Sequence, residues 1–332
     1  MKFLIIRFSS IGDIVLTTPV VRSLKLQVAN AEVHYLTKQT YRAIVDSNPH
    51  IDKVHVLEDN LHSLVEDLRA ENFDYIIDLH HNLRTIKVKK ALKGVKAISF
   101  NKLNVQKWIQ TALKINLLPN LHIVDRYLET VKQFGVRNDG KGLDYFIPKN
   151  DVVPDADIPA AQSLGYVGIV IGAAYKTKQL PLKKLKELCN SINHPIILLG
   201  GKEDMLLGSE LAAIDPIKIY NSCGKFKLNE SADLVRRAKL IITHDTGLMH
   251  IAAAFKRPII SVWGNTVPRF GMSPYYGNSM VANDIFEVKG LWCRPCSKIG
   301  YDRCPMGHFK CMNKQDVTSM VEKAEFLSKN SW

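Results

Sequence analysis

Residues 240–266, LIITHDTGLMHIAAAFKRPIISVWGNT, pass from an apolar run through His244, Asp245, Thr246 and Gly247 into apolar residues at helical spacing. They then cross Arg257 and Pro258 into a second apolar run. Strand, turn, helix and strand in that order make a βαβ unit with two parallel strands. The N–H groups of Gly247, Leu248 and Met249 would face outward from the helix start, where an anion such as a diphosphate is favoured. His250 follows Gly247 by about one helical turn, and Asp245 beside the turn suits sugar hydroxyls. A simpler reading has Asp245 or Thr246 capping the helix and His250 satisfied in the core.

The same alternation runs outward in both directions. In the first half KFLIIRF, EVHYLT, KVHVLE, DYIIDLH and VKAISF read as strands, with IVLTTPVVRSLKLQ and LHSLVEDLRA as helices between them. The second half continues with YVGIVIG, HPIILLG, KLIITHD and RPIISVWG, separated by PLKKLKELCNSI, DMLLGSELAAI and LNESADLVRRA. Continuous apolar strands joined by helices predict parallel sheets covered on both faces. The chain of 332 residues exceeds the usual size of one core, so two domains are expected. The polar, proline-bearing stretch 147–163 is the expected linker, giving an α/β protein with Rossmann-like, doubly wound domains over residues 1–150 and 165–332. Two such domains facing across a cleft would bring both sets of strand carboxyl ends to one gap.

The first strand poses a sharper question. IIRFSSIGDIVLTTPV, residues 5–20, is a strand running into a helix through Ser9, Ser10, Gly12 and Asp13. Small residues there usually cradle a phosphate, and an aspartate argues against that use. The G-x-G-x-x-G spacing of a dinucleotide site and the Lys-Ser/Thr of a P-loop are both missing, which argues against a dehydrogenase. Either Ser9, Ser10 or Asp13 caps the helix, or Asp13 works as a general base at the carboxyl end of the first strand.

Composition narrows the field. Apolar residues make up 46% and charged residues 23% of the chain, the balance of a water-soluble globular protein, and no apolar run reaches the ~18 residues that span a bilayer. The net charge is +13. Between Asp78 and Asp125 there is no acid, while Arg84, Lys87, Lys89, Lys90, Lys93, Lys96, Lys102, Lys107 and Lys114 all fall there. Such a run is a solvated face or a surface for an anionic partner. Aromatic interleaving is limited to Phe100 and Trp108, so nucleic acid is not the expected partner. Anionic lipid or a phosphorylated glycan fits equally.

Two further strand ends carry candidate residues. ILLGGKEDM sets Gly200 and Gly201 before Lys202, Glu203 and Asp204, where an acid can bond the hydroxyls of a nucleotide ribose. IGAAYKTKQLP, residues 171–181, places Lys176 and Lys178 where a cation could neutralise a diphosphate. An ordinary loop and surface lysines look the same.

Taken together, DTGLMHIAAA, the opening RFSSIGD, the KQLP after a Gly-ended strand and a late cysteine cluster resemble the ADP-heptose:lipopolysaccharide heptosyltransferases of glycosyltransferase family nine, in register over nearly the whole chain. The resemblance implies an inverting, metal-independent glycosyltransferase of the GT-B fold. The carboxyl half would hold ADP-heptose and the amino half an anionic lipopolysaccharide-core acceptor, Kdo-lipid A or heptosyl-Kdo-lipid A. Asp13 matches the family's catalytic base and Lys178 its diphosphate lysine. Asp245, Thr246, Gly247 and His250 match its donor-binding turn, and Glu203 is assigned to the ribose. Ser10, Gly12 and Arg84 are assigned to the acceptor, the fork of Arg84 suiting phosphate and carboxylate. Departures from the family's pattern occur at AAYKT before Lys178 and at LHHNL after Asp78. The implied setting is cytoplasmic, as a monomer touching the inner face of the membrane. Another nucleotide-sugar transferase or epimerase of the same fold, or an inactive binding module, is the alternative.

CRPCSKIGYDRCPMGHFKC places Cys293, Cys296, Cys304 and Cys311 within nineteen residues. In a reducing compartment, C-x2-C followed by two more cysteines suggests a structural zinc site, although the second pair is spaced more widely than usual. The rival is a loop of free thiols or labile disulfides. No cofactor is expected for catalysis.

Overall fold

The computed structural model describes residues 1–57 and 61–329. Glu58, the last residue of the expected strand KVHVLE, and the last three residues of the expected second domain lie outside the described residues. The chain forms two compact units. The first comprises residues 1–102, 121–146 and 275–279; the second comprises 103–120, 147–274 and 280–332.

The first unit is built on five parallel strands, β1 (Lys2–Ile6), β2 (Glu32–Lys38), β3 (Lys53–Leu57), β4 (Tyr75–Asp78) and β5 (Lys96–Ser99), in the order β3-β2-β1-β4-β5. The second unit has six, β6 (Val167–Val170), β7 (Ile196–Leu199), β8 (Ile219–Asn221), β9 (Leu240–His244), β10 (Ile259–Trp263) and β11 (Asn283–Glu287). Their order is β11-β10-β9-β6-β7-β8, again all parallel. Each sheet therefore reverses its winding direction once, between β1 and β4 in one unit and between β6 and β9 in the other. At those points the connections leave to opposite sides and open a crevice at the strand carboxyl ends.

The apolar runs became central strands because helices cover both faces. Leu4, Ile6, Leu36, Leu68, Ile76 and Val88 are buried together in the first unit, and Ile169, Leu185, Leu198, Ile242, Ile260 and Met320 in the second. Each such side chain contributes roughly 1.5–3 kcal/mol by leaving water. The two strands that sequence reading missed are both edges: β8 has only three residues, and in β11, NDIFE, Asn283, Asp284 and Glu287 flank only two apolar residues. Edge strands are short and charged because an apolar edge invites pairing with other chains.

Four boundaries differ from the expectation. IVLTTPVVRSLKLQ is two helices, Ile11–Val15 and Thr18–Gln27, because Pro19 lacks the N–H that would continue the first. The hydroxyls of Thr17 and Thr18 donate to the carbonyls of Ile14 and Val15 at 2.6 and 2.8 Å, closing the break. Residues 103–120 belong with the second unit rather than the first, since Lys114 Nζ donates to the carbonyls of Cys293 and Pro295 at 3.2 and 2.8 Å. Residues 275–279 join the first unit, where the Asn278 N–H reaches the Gly140 carbonyl at 2.7 Å. The stretch expected as a linker packs on the second unit, its Val153 N–H bonded to buried Asp233 at 3.1 Å.

Candidate active site

In the first unit the chemistry gathers at the β1/β4 reversal. Asp13 lies in the first turn of the Ile11–Val15 helix, with its side chain partly exposed. Its Oδ2 accepts from the Ser10 N–H at 3.3 Å and the Ser10 hydroxyl at 2.8 Å. Its Oδ1 accepts from Arg7 Nη2 at 2.6 Å. The capping and base readings therefore do not exclude each other, because the same ionised carboxylate can serve both.

Arg7 was not singled out from the sequence. It is buried and spans the crevice floor, with Nε donating to the Ser9 carbonyl at 2.8 Å and Nη1 to the Leu79 carbonyl at 2.6 Å and the Tyr127 hydroxyl at 3.1 Å. A guanidinium so placed favours the ionised, proton-accepting form of its partner. His80 is a second such residue: its ring centroid stands 5.3 Å from that of Phe8, and its Nδ1 is buried with no hydrogen-bond partner. Burial, then the Arg7 cation, pushes its imidazole down to about 4. Ser10 is exposed beside Asp13, Gly12 is buried in the helix, and Arg84 stands exposed at the second position of the Leu83–Ala91 helix. Asp78, at the end of β4, is fully buried and paired with Lys89 at 2.7 Å, which makes it structural.

In the second unit the site forms at the β6/β9 reversal. Lys178 Nζ contacts Asp245 Oδ2 at 2.7 Å, the two side chains being 14% and 13% exposed. Thr266 donates to the same oxygen at 2.9 Å. Thr246 occupies the N-cap position of the Gly247–Ala254 helix with extended backbone and makes no side-chain cap bond. Asp245 is thus committed to Lys178 and Thr266 rather than to capping, and the helix start keeps its outward N–H groups. His250 is buried on that helix. Glu203 is exposed, whereas Asp204 is buried and accepts the Gly201 N–H at 3.0 Å. Gly172 has no Cβ for a reason, since one would lie 2.0 Å from Asp204 Oδ2.

Three supporting residues escaped the sequence reading. His244 Nε2 accepts the Leu180 N–H at 2.9 Å and its Nδ1 lies 3.4 Å from the Gly172 carbonyl, so it pins the Lys178 segment to the end of β9. Asn265 is buried with neither amide atom paired, beside Thr266. Arg294 pairs with Glu287 at 2.8 Å and donates to the carbonyls of Gly264, Trp263 and Thr266. His244 and Arg294 depend on contacts distant in sequence, and none of the three carries a local signal.

The residues that could hold a metal are of two kinds. Cys293, Cys296, Cys304 and Cys311 are free thiols. Burial raises Cys296 and Cys311 to about 11. Cys293 Sγ lies 3.7 Å from His308 Nε2, but among the described residues no three of these cysteines bring their sulphurs within 4.8 Å. The loop is held by Arg294 and by the Cys296 N–H on the Asn265 carbonyl at 3.1 Å. His34, His55 and Glu71 do gather within 4.8 Å. However, Lys2 and Lys53 already pair with Glu71, and His34 Nδ1 meets His55 Nε2 at 3.0 Å, so the group satisfies itself.

Two doubly wound parallel sheets with a partly exposed carboxylate at one switch point, and a helix start with lysine and carboxylate at the other, are the architecture of GT-B glycosyltransferases. Residues 61–300 match the model of Glycosyltransferase family 9 (heptosyltransferase), and the chain belongs to that family. It is 24% identical over 304 residues to lipooligosaccharide heptosyltransferase 2 of Haemophilus influenzae, covering 81% of this chain and 85% of that one. Its fold matches a glycosyl transferase family 9 structure from Veillonella parvula with TM-score 0.78 at 20% identity, covering 99% and 98% of the two chains. It also matches Escherichia coli heptosyltransferase WaaC with ADP-2-deoxy-2-fluoro heptose, with TM-score 0.70 at 19% identity over 98% and 99%.

Proposed function

We propose that the protein transfers heptose from ADP-heptose to the lipopolysaccharide inner core, Kdo-lipid A or heptosyl-Kdo-lipid A, with inversion at the anomeric carbon. The observation that carries this reading is the Lys178–Asp245–Thr266 cluster at the start of the Gly247 helix, in a chain of this family. The second unit holds the donor. The helix N–H groups and Lys178 face the diphosphate, and Glu203 takes the ribose hydroxyls. Asp245 orients Lys178 and takes sugar hydroxyls, with Thr246 and His250 completing the turn.

In the first unit Asp13 accepts the proton of the acceptor hydroxyl. The oxygen–carbon bond forms as the carbon–oxygen bond to the diphosphate breaks, and ADP leaves as the anion. Attack opposite the leaving group gives inversion. Ionised Asp13, held by Arg7 and Ser10, is ready as a base. Charge grows on the diphosphate only as the bond breaks, so Lys178 and the helix start stabilise the transition state more than the ground state. Ser10, Gly12 and Arg84 meet the acceptor. No metal takes part in transfer. A zinc ion on Cys293, Cys296, Cys304 and Cys311 would be structural, and since the thiols are not gathered as a ligand set no step is assigned to it. The enzyme works as a monomer in the cytoplasm at the inner face of the membrane.

The test is a donor panel of ADP-heptose, UDP-glucose and GDP-mannose with a deacylated Kdo-lipid A acceptor. Transfer from ADP-heptose alone supports the reading; transfer from another donor replaces it with a sister transferase, and donor binding without transfer leaves an inactive binding module.

A further inference from the structure

The helix Asn104–Ala112 is amphipathic the wrong way round for a buried helix. Val105 and Trp108, one turn apart and so on one face, are 67% and 56% exposed, while Gln110 is turned inward at 6%. The chain that follows continues the pattern, exposing Leu113, Ile115 and Leu117 by more than half each. Lys114 is clamped to the carbonyls of Cys293 and Pro295, which sets this stretch against the cysteine loop, where Trp292 is 71% exposed. Scattered exposed apolar residues need no explanation, but six large ones on two adjoining segments form a patch that water does not favour.

Charge says what covers it. Residues 103–120 contain no acid, and neither does the stretch between Glu287 and Asp302. Lys289 and Lys298 are exposed on the second stretch, and Lys114 on the first. Tryptophan with aliphatic side chains amid lysine, on a helix too short to span, is the composition of an element that lies in the headgroup layer of an anionic bilayer. Among the described residues no helix is long and apolar enough to cross a membrane.

We infer that residues 103–120 and the Trp292 loop form a docking surface for an anionic lipid bilayer. Trp108, Trp292, Leu113, Ile115 and Leu117 enter the interface, and Lys289 and Lys298 pair with lipid phosphates. The loop with four cysteines acquires a mechanical role, presenting Trp292 and anchoring Lys114. This deepens the reading of a lipid-borne acceptor and rests on it only for its purpose, because the test uses neither donor nor acceptor.

The experiment is flotation of the whole protein with vesicles of phosphatidylethanolamine and phosphatidylglycerol at 3:1, against pure phosphatidylcholine, for wild type, Trp108→Glu/Leu117→Glu and Lys289→Glu/Lys298→Glu. Wild type should float with the anionic vesicles and weaken at high salt. Both variants should lose at least about tenfold in partitioning, while keeping the wild-type melting temperature and transfer to a deacylated, water-soluble acceptor. Equal flotation of the variants, or no flotation of wild type, overturns the inference. A dimer seen by sedimentation that Trp108→Glu/Leu117→Glu dissolves, without vesicle binding, also overturns it by assigning the patch to a second copy of the chain.

Discussion

Replacing His244 with phenylalanine separates two consequences of burying an imidazole. His244 is 1% exposed, and burial pushes it down to about 4 from an ordinary 6.5. In the folded protein it is neutral, with Nε2 accepting the N–H of buried Leu180. A histidine whose folded value lies below its unfolded value contributes stability that is fully present above about 6.5 and is lost as pH falls toward 4. At about 1.4 kcal/mol per pH unit the whole interval is worth roughly 3 kcal/mol, of which about 2 is gone by pH 5. His244→Phe leaves the Leu180 N–H unpaired, costing about 1–3 kcal/mol at pH 7.5, but the variant no longer pays for protonation. Urea unfolding followed by the buried Trp263 indole, at pH 7.5 and pH 5, should show a clear deficit for the variant at the higher pH and near equality at the lower. Parallel curves, with the same deficit at both values, would refute the neutral, acceptor role assigned to His244.

If Lys178 faces the diphosphate as proposed, Lys178→Ala should lower kcat/KM for ADP-heptose by about 30-fold or more, with the larger part in kcat, as initial rates will show. Glu203→Gln should weaken ADP binding roughly tenfold by calorimetry with melting unchanged. Its neighbour is expected to behave oppositely: Asp204→Asn, at a buried turn bond to Gly201, should lower stability by about 1–2 kcal/mol and affect affinity less. Arg294→Ala removes the clamp on the Gly264–Thr266 carbonyls and strands Glu287. It should cost about 2–4 kcal/mol in unfolding free energy and loosen donor binding, measured as a parallel fall in melting temperature and ADP affinity.

What could be read from the sequence was what depends on neighbours along the chain. The apolar runs became β1–β7, β9 and β10, because a strand covered on both faces needs no alternation, and the Gly247 turn was visible as a break between two periodicities. β8 and β11 were not, being edges whose residues look like loop. Asp13 and Asp245 stood out as acids at strand-to-helix turns. Arg7, the partner of Asp13, did not, because it reads as part of an apolar strand; Lys178 stood out on its own loop, but its pairing with Asp245, 67 residues away, did not. His244 and Arg294 act only through folded contacts. The apolar face of residues 103–120 was hidden for another reason. A helical period of apolar residues says that a stripe exists, and only the fold shows that here it points outward.

The most direct measurement of the central claim is heptose transfer from ADP-heptose to deacylated Kdo-lipid A by wild type and Asp13→Asn, at matched folded fraction and with donor affinity determined for both. The folding control matters because the substitution takes a charge from buried Arg7. Loss of about a hundredfold or more in kcat with unchanged donor affinity is the expected result for a general base. Transfer by Asp13→Asn at a rate close to wild type would contradict the account and leave Asp13 as a cap on the first helix.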